Sequence, residues 1–122
     1  MEKLIFLSML CLVLVACSNS DDEEVDVPVS VEETAEYKAA EAYYNSTLKS
    51  VITASCTSCH AGYHSNSNTS NYGTFTNAMN RATGMYSQVN SGGMPKGGDK
   101  LPQDDIDKFE DFKDLVGLIP SE

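Results

Sequence analysis

Apolar positions along the chain fall into blocks with different periods. Leu4 to Val15 is an apolar run interrupted only by Ser8. Tyr37, Ala40, Tyr44, Leu48, Val51 and Ser55 recur at spacings of three and four, mostly apolar, which is one face of a helix. The pattern fits one long helix or two that meet near Asn45-Ser46. Phe75, Met79 and Ala82 predict a short helix, and Met85, Tyr86 and Val89 another. Ile106, Phe109, Phe112, Leu115 and Val116 share one face of a last helix. Its first turn holds Asp104 and Asp105, where the helix dipole favours anions, and Gly117 and Pro120 end it. At the front, Ser30 followed by Glu33 predicts a capping box. Between the helices, "AGYHSNSNTSN" (61–71) and "NSGGMPKGGDK" (90–100) read as loops. No stretch alternates as a strand does, and there is no internal repeat. The expected fold class is all-α, with the longer helices at the two ends of the domain.

The first apolar block is a different kind of object. Lys3 precedes it, and its length is that of a secretion-signal core, too short to span a bilayer comfortably. It ends in "LVAC", Leu14 to Cys17, which resembles the lipobox of bacterial lipoproteins. That resemblance implies a signal peptide over 1–16 and lipidation of Cys17, whose acyl chains would anchor the chain to a membrane. Ser18 to Ser30 carries five acids, no base and no aromatic residue, so 17–30 is expected to act as a flexible acidic tether. The acids Asp21 to Glu24 also resemble a surface-export signal; a solvated spacer is the plainer reading. One folded domain is then expected over 31–122. The net charge of −10 argues against nucleic acid as a partner.

The chemistry concentrates in "CTSCH", residues 56–60, which holds two of the four cysteines and one of the two histidines. A zinc site needs four ligands, yet Cys56, Cys59, His60 and His64 crowd into nine residues, whereas structural sites join pairs from separate segments. A redox dithiol wants its CxxC after a strand in a βαβ setting, and no strand precedes Cys56. A disulfide between Cys56 and Cys59 would close a tiny loop and stabilise little. Covalent haem attachment uses all three residues. Two thiols at i and i+3 add to the haem vinyl groups, and the His that follows becomes the proximal iron ligand. It also agrees with secretion, because the attachment is made outside the cytoplasm.

Residues 44–119 resemble class I monohaem cytochromes c, particularly the small modules of bacterial membrane-attached proteins. The resemblance rests on "LKSVITASCTSCHAG", on "SGGMPKGGDKL" with its Met 34 residues after His60, and on the terminal "DDIDKFEDF". It implies a cytochrome c fold, with N- and C-terminal helices packed across each other around one covalent haem c. Cys56 and Cys59 match the attachment residues, His60 the proximal ligand and Met94 the sixth ligand. Thioether sulfur is soft, suits iron and raises the reduction potential relative to a second His. Pro95 stiffens the residue beside Met94, and the surrounding glycines allow close approach and tight turns. Met79 and Met85 are rivals for the sixth position, but both fit an apolar helix face.

Three features depart from the family pattern. Residues 61–71 contain no Pro, whose carbonyl orients the proximal His in many relatives, so the partner of His60 is not given by the sequence. Phe112 stands where relatives often have Trp. His64 is read as a solvated loop residue, and Tyr37, Tyr43 and Tyr44 as core or helix surface. The function implied is electron transfer by a membrane-tethered cytochrome between unidentified redox proteins, with no catalytic turnover of its own. The implied location is the bacterial cell envelope, at the outer membrane, on its periplasmic or surface face. The alternatives are a haem-based gas or redox sensor in which Met94 is displaced, and a haem subunit docked on a larger respiratory complex.

Overall fold

The structure, a computed structural model, describes residues 30–60, 65 and 68–121. The expected leader, Cys17, the expected tether up to residue 29, and His64 lie outside the described residues. Within them the chain is helical and no strand occurs, as the periodicity predicts.

A 3-10 turn, Val31–Glu33, leads into α1 (Ala35–Tyr43). The cap is not the expected one. Ser30 makes no side-chain cap bond. Thr34 caps instead: its Oγ1 accepts from the Tyr37 N–H at 3.1 Å and donates to the Val31 carbonyl at 2.9 Å. The 3-10 turn displaces the start of the α-helix by one turn, and a threonine sits where the first free amides need an acceptor.

The helix does not break at Asn45-Ser46. It widens there into a π-helical turn, Tyr44–Leu48, and continues as α2 (Lys49–Ser55). Spacing explains why. Ala40, Tyr44, Leu48 and Ile52 are all fully buried and lie four residues apart. At 3.6 residues per turn, twelve residues of α-helix would carry Ile52 roughly 120° round from Ala40. A wider turn returns the stripe to one face.

α3 (Thr57–His60) follows at once, then a polar loop, then α4 (Phe75–Asn80) and α5 (Ala82–Ser91). Ala82 belongs to α5 and not to the shorter helix before it, because the chain kinks at Arg81. α6 (Gln103–Gly117) carries Asp104 and Asp105 in its first turn. α6 packs against α1, the π turn and α5, so the two ends of the domain meet. Phe112, 0 % exposed, lies with its ring 6.0 Å from Tyr44 and 6.2 Å from Phe75. Tyr37 meets Phe75 edge-on at 5.2 Å. The Tyr43 hydroxyl donates to the Asp111 carboxylate at 3.1 Å, a second tie between α1 and α6. Ile106 and Phe109 complete the buried face of α6, with Leu115 and Val116 packed at its edge. No helix among the described residues is long and apolar enough to cross a membrane.

Candidate functional site

The helical path runs almost unbroken from α2 into α3. The Cys56 N–H donates to the Ile52 carbonyl at 2.8 Å, and the Cys56 carbonyl accepts from the N–H groups of Cys59 and His60 at 3.1 and 2.8 Å. Positions i, i+3 and i+4 of one helical turn share a side, so Cys56, Cys59 and His60 are presented together. Cys56 is half-buried, Cys59 is exposed, and both thiols are free.

These three residues line an open cleft of about 270 Å³. Met94 and Pro95 line the same cleft from the loop after α5, as do Gly84 and Met85 of α5, Phe109 of α6, and Tyr72. Residues 34 positions apart in sequence thus reach one space. The loop that brings Met94 there starts at Gly92, whose φ of +76° ends α5 in the left-handed region. The Met94 N–H then donates to the Gln88 carbonyl at 3.2 Å, which folds the loop back on α5. Gly97, also at φ +76°, reverses the chain beyond it.

His60 is held on two sides. Its Nδ1 lies 3.0 Å from the Ser70 carbonyl oxygen. A carbonyl only accepts, so this contact requires the proton on Nδ1 and leaves the ring lone pair on Nε2, the form that ligates a metal. The Tyr72 ring stacks on the imidazole, centroids 4.6 Å apart and planes 20° from parallel. Tyr72 is itself fixed by the Tyr44 hydroxyl, which donates to its carbonyl at 2.8 Å. Ser70 is therefore the partner that the Pro-free loop left open. The bond uses a backbone carbonyl, which any residue has, so no side-chain signal announces it. Tyr72 and Gly84 are further cleft residues that the sequence reading did not single out, and Phe109, read there only as part of a helix face, also lines the cleft.

The rival methionines part company. Met79 packs on the core and does not line the cleft, whereas Met85 is both a core residue and part of the cleft wall. Burial and the neighbouring Cys59 push the Cys56 thiol upward from its ordinary value, opposite to what a reactive dithiol needs. Among the described residues no three His, Cys, Asp or Glu side chains gather closely enough to share a metal ion.

The donor set along the cleft is of the kind that a flat, mostly apolar cofactor with a metal at its centre would use. Two thiols stand ready for covalent linkage beside an imidazole in the ligating tautomer, and a thioether comes from a separate segment. Gly84 adds room: a Cβ built on it meets nothing within 4 Å, so the wall of α5 is lowest where it borders the cleft. Compared with protein-family models, curated proteins and solved structures, the chain gives no match.

Proposed function

We propose that this chain is a membrane-tethered c-type cytochrome that carries electrons between redox proteins. The observation that carries the reading is that Cys56, Cys59, His60 and Met94 border one cleft. In this reading Cys56 and Cys59 hold haem c through thioethers, His60 Nε2 and the Met94 sulfur ligate the iron, and the helices adopt a cytochrome c fold. The packing of α1 on α6 is compatible with that fold. The haem supplies a one-electron Fe(III)/Fe(II) couple.

The chain's own residues do the rest. The Ser70 carbonyl holds the Nδ1 proton and so makes Nε2 of His60 a stronger donor to a metal. Tyr72 and Phe109 exclude water from their side of the cleft, and Met85 and Val89 do so along α5. Fixed ligands and a dry wall keep reorganisation small during electron transfer. No catalytic turnover is proposed.

Acid–acetone extraction tests the reading. Haem that stays with the chain, and is lost from Cys56→Ser/Cys59→Ser, supports it; colour that leaves with the solvent overturns covalent attachment. The anchor has its own test. With Cys17 lipidated behind the acidic tether, Cys17→Ser should release folded, haem-loaded protein in soluble form. That variant remaining in the membrane pellet would show another tether.

A further inference from the structure

The loop between α3 and α4 has no proline to stiffen it, yet it carries the Ser70 carbonyl and the Tyr72 ring that lie against His60. From Asn68 onward asparagines hold its turns. The Asn68 side-chain oxygen accepts from the Ser70 N–H at 2.9 Å, and the Asn71 N–H donates to the Asn68 carbonyl at 2.9 Å. Asn71, 2 % exposed, accepts from the Gly73 N–H at 3.0 Å through its side chain. Asn77 closes the set. Its amide nitrogen donates to the Asn68 carbonyl and to the Asn71 carbonyl, each at 2.9 Å. An Asn side chain has two N–H donors, and here both span the turn that contains Ser70.

Asn77 stands on α4, whose Phe75 and Ala78 are buried in the core. The core thus fixes α4, α4 fixes Asn77, Asn77 fixes the turn, and the turn sets the Ser70 carbonyl and the Tyr72 ring against His60. We propose that Asn77 is a positioning residue for His60, acting through Asn68, Asn71 and Ser70. It does the work of a rigid loop residue at a distance from the imidazole. The inference rests on the proposed function, in which His60 is an iron ligand.

Its consequence is electronic. A firm Nδ1–H···O bond makes the imidazole a stronger donor, which favours the ferric state. Loss of the Asn77 donors leaves two carbonyls of the turn unbridged, so the Ser70 carbonyl holds His60 less firmly. The reduction potential should then rise.

The test uses the haem-loaded full chain, and covalent haem in the wild type is measured first. Its absence would overturn the proposed function and this inference with it. With haem present, Asn77→Ala should shift the reduction potential upward and broaden or split the hyperfine-shifted His60 ring resonances in the proton NMR spectrum of the ferric protein. Asn80→Ala, exposed on the same short helix, should leave both as in the wild type. Tyr72→Leu is the second variant. It removes only the stacked ring and should also split the His60 resonances, which keeps the clamp testable if Asn77→Ala does not accumulate folded. A merely structural Asn77 would lower the melting temperature alone. A wild-type potential with one sharp set of His60 resonances in Asn77→Ala would sink the positioning role and leave the haem reading standing.

Discussion

The Tyr44 hydroxyl donates to the Tyr72 carbonyl at 2.8 Å and so joins the π-helical turn to the residue stacked on His60. Tyr44 is 1 % exposed, so its phenol is shielded from water, while Tyr72, whose carbonyl it serves, is partly buried. Tyr44→Phe keeps the ring in the core and leaves that carbonyl without the phenol. The cost should be about 1 kcal/mol, which lowers the melting temperature of a domain this size by several degrees. Thermal unfolding followed by circular dichroism checks it. An unchanged melting temperature would mean that the bond contributes nothing to stability.

The two tyrosines at the same bend also set the alkaline limit. Burial pushes Tyr44 up to about 12. Burial, the hydrogen bond to Asp111 and the charge of Asp111 push Tyr43 up to about 12 as well. A phenol raised above its unfolded value near 10 keeps its proton in the fold where the unfolded chain has lost it. Stability from these groups is therefore complete below about pH 10 and drains away as pH rises through about 12. Denaturant unfolding at pH 9 and pH 11.5 should show the loss, and it should be smaller in Tyr44→Phe. Equal stability at the two pH values would contradict the raised phenols.

How far the sequence could carry this picture depends on what each feature is made of. The buried faces of α1, α2 and α6 were legible because Ala40, Val51, Ile106, Phe109 and Phe112 follow helical spacing and solvent exclusion enforces it. Cys56, Cys59 and His60 were legible because one helical turn suffices to bring them together. The π turn was hidden, since a search at 3.6 residues per turn treats four-residue spacing as scatter. The cap was misplaced from Thr34 to Ser30 because both are good capping residues and only the 3-10 turn separates them. Ser70 was unreadable in principle, as its contribution is a backbone carbonyl. Met94 was legible by resemblance, whereas its approach to the cleft depends on the positive φ of Gly92 and on the Gln88 carbonyl.

Gly84 should respond oppositely with and without cofactor. It sits inside α5, where glycine costs up to about 1 kcal/mol relative to alanine. Nothing lies within 4 Å of an added Cβ. Gly84→Ala should therefore stabilise the haem-free chain slightly, while Gly84→Leu should project into the cleft and cut covalent haem incorporation severalfold. Haem content per chain, read from the pyridine haemochrome spectrum, checks the second statement. Full haem loading in Gly84→Leu would mean that the cofactor does not use this part of the cleft.

Met94 and Met85 both border the cleft, and the last prediction separates them. Met85 is 7 % exposed and packs within the apolar core, while Met94 is half-buried on a loop. If the Met94 sulfur ligates iron, the ferric protein should show the weak near-infrared charge-transfer band of a sulfur–iron bond. Met94→Ala should abolish that band, make the haem high-spin or water-bound, speed carbon monoxide binding and lower the reduction potential, because thioether ligation favours the ferrous state. Its fold should survive, since the contacts of α6 with α1 and α5 do not involve this loop. Met85→Ala should behave otherwise. It should keep the band and lose about 2–5 kcal/mol of stability, the cost of a core cavity. Met79→Ala, away from the cleft, should also keep the band. A gas sensor would give a different set of results: the wild type itself would bind carbon monoxide readily, and Met94→Ala would change little. Loss of the band in Met85→Ala with retention in Met94→Ala would move the sixth ligand from the loop to α5.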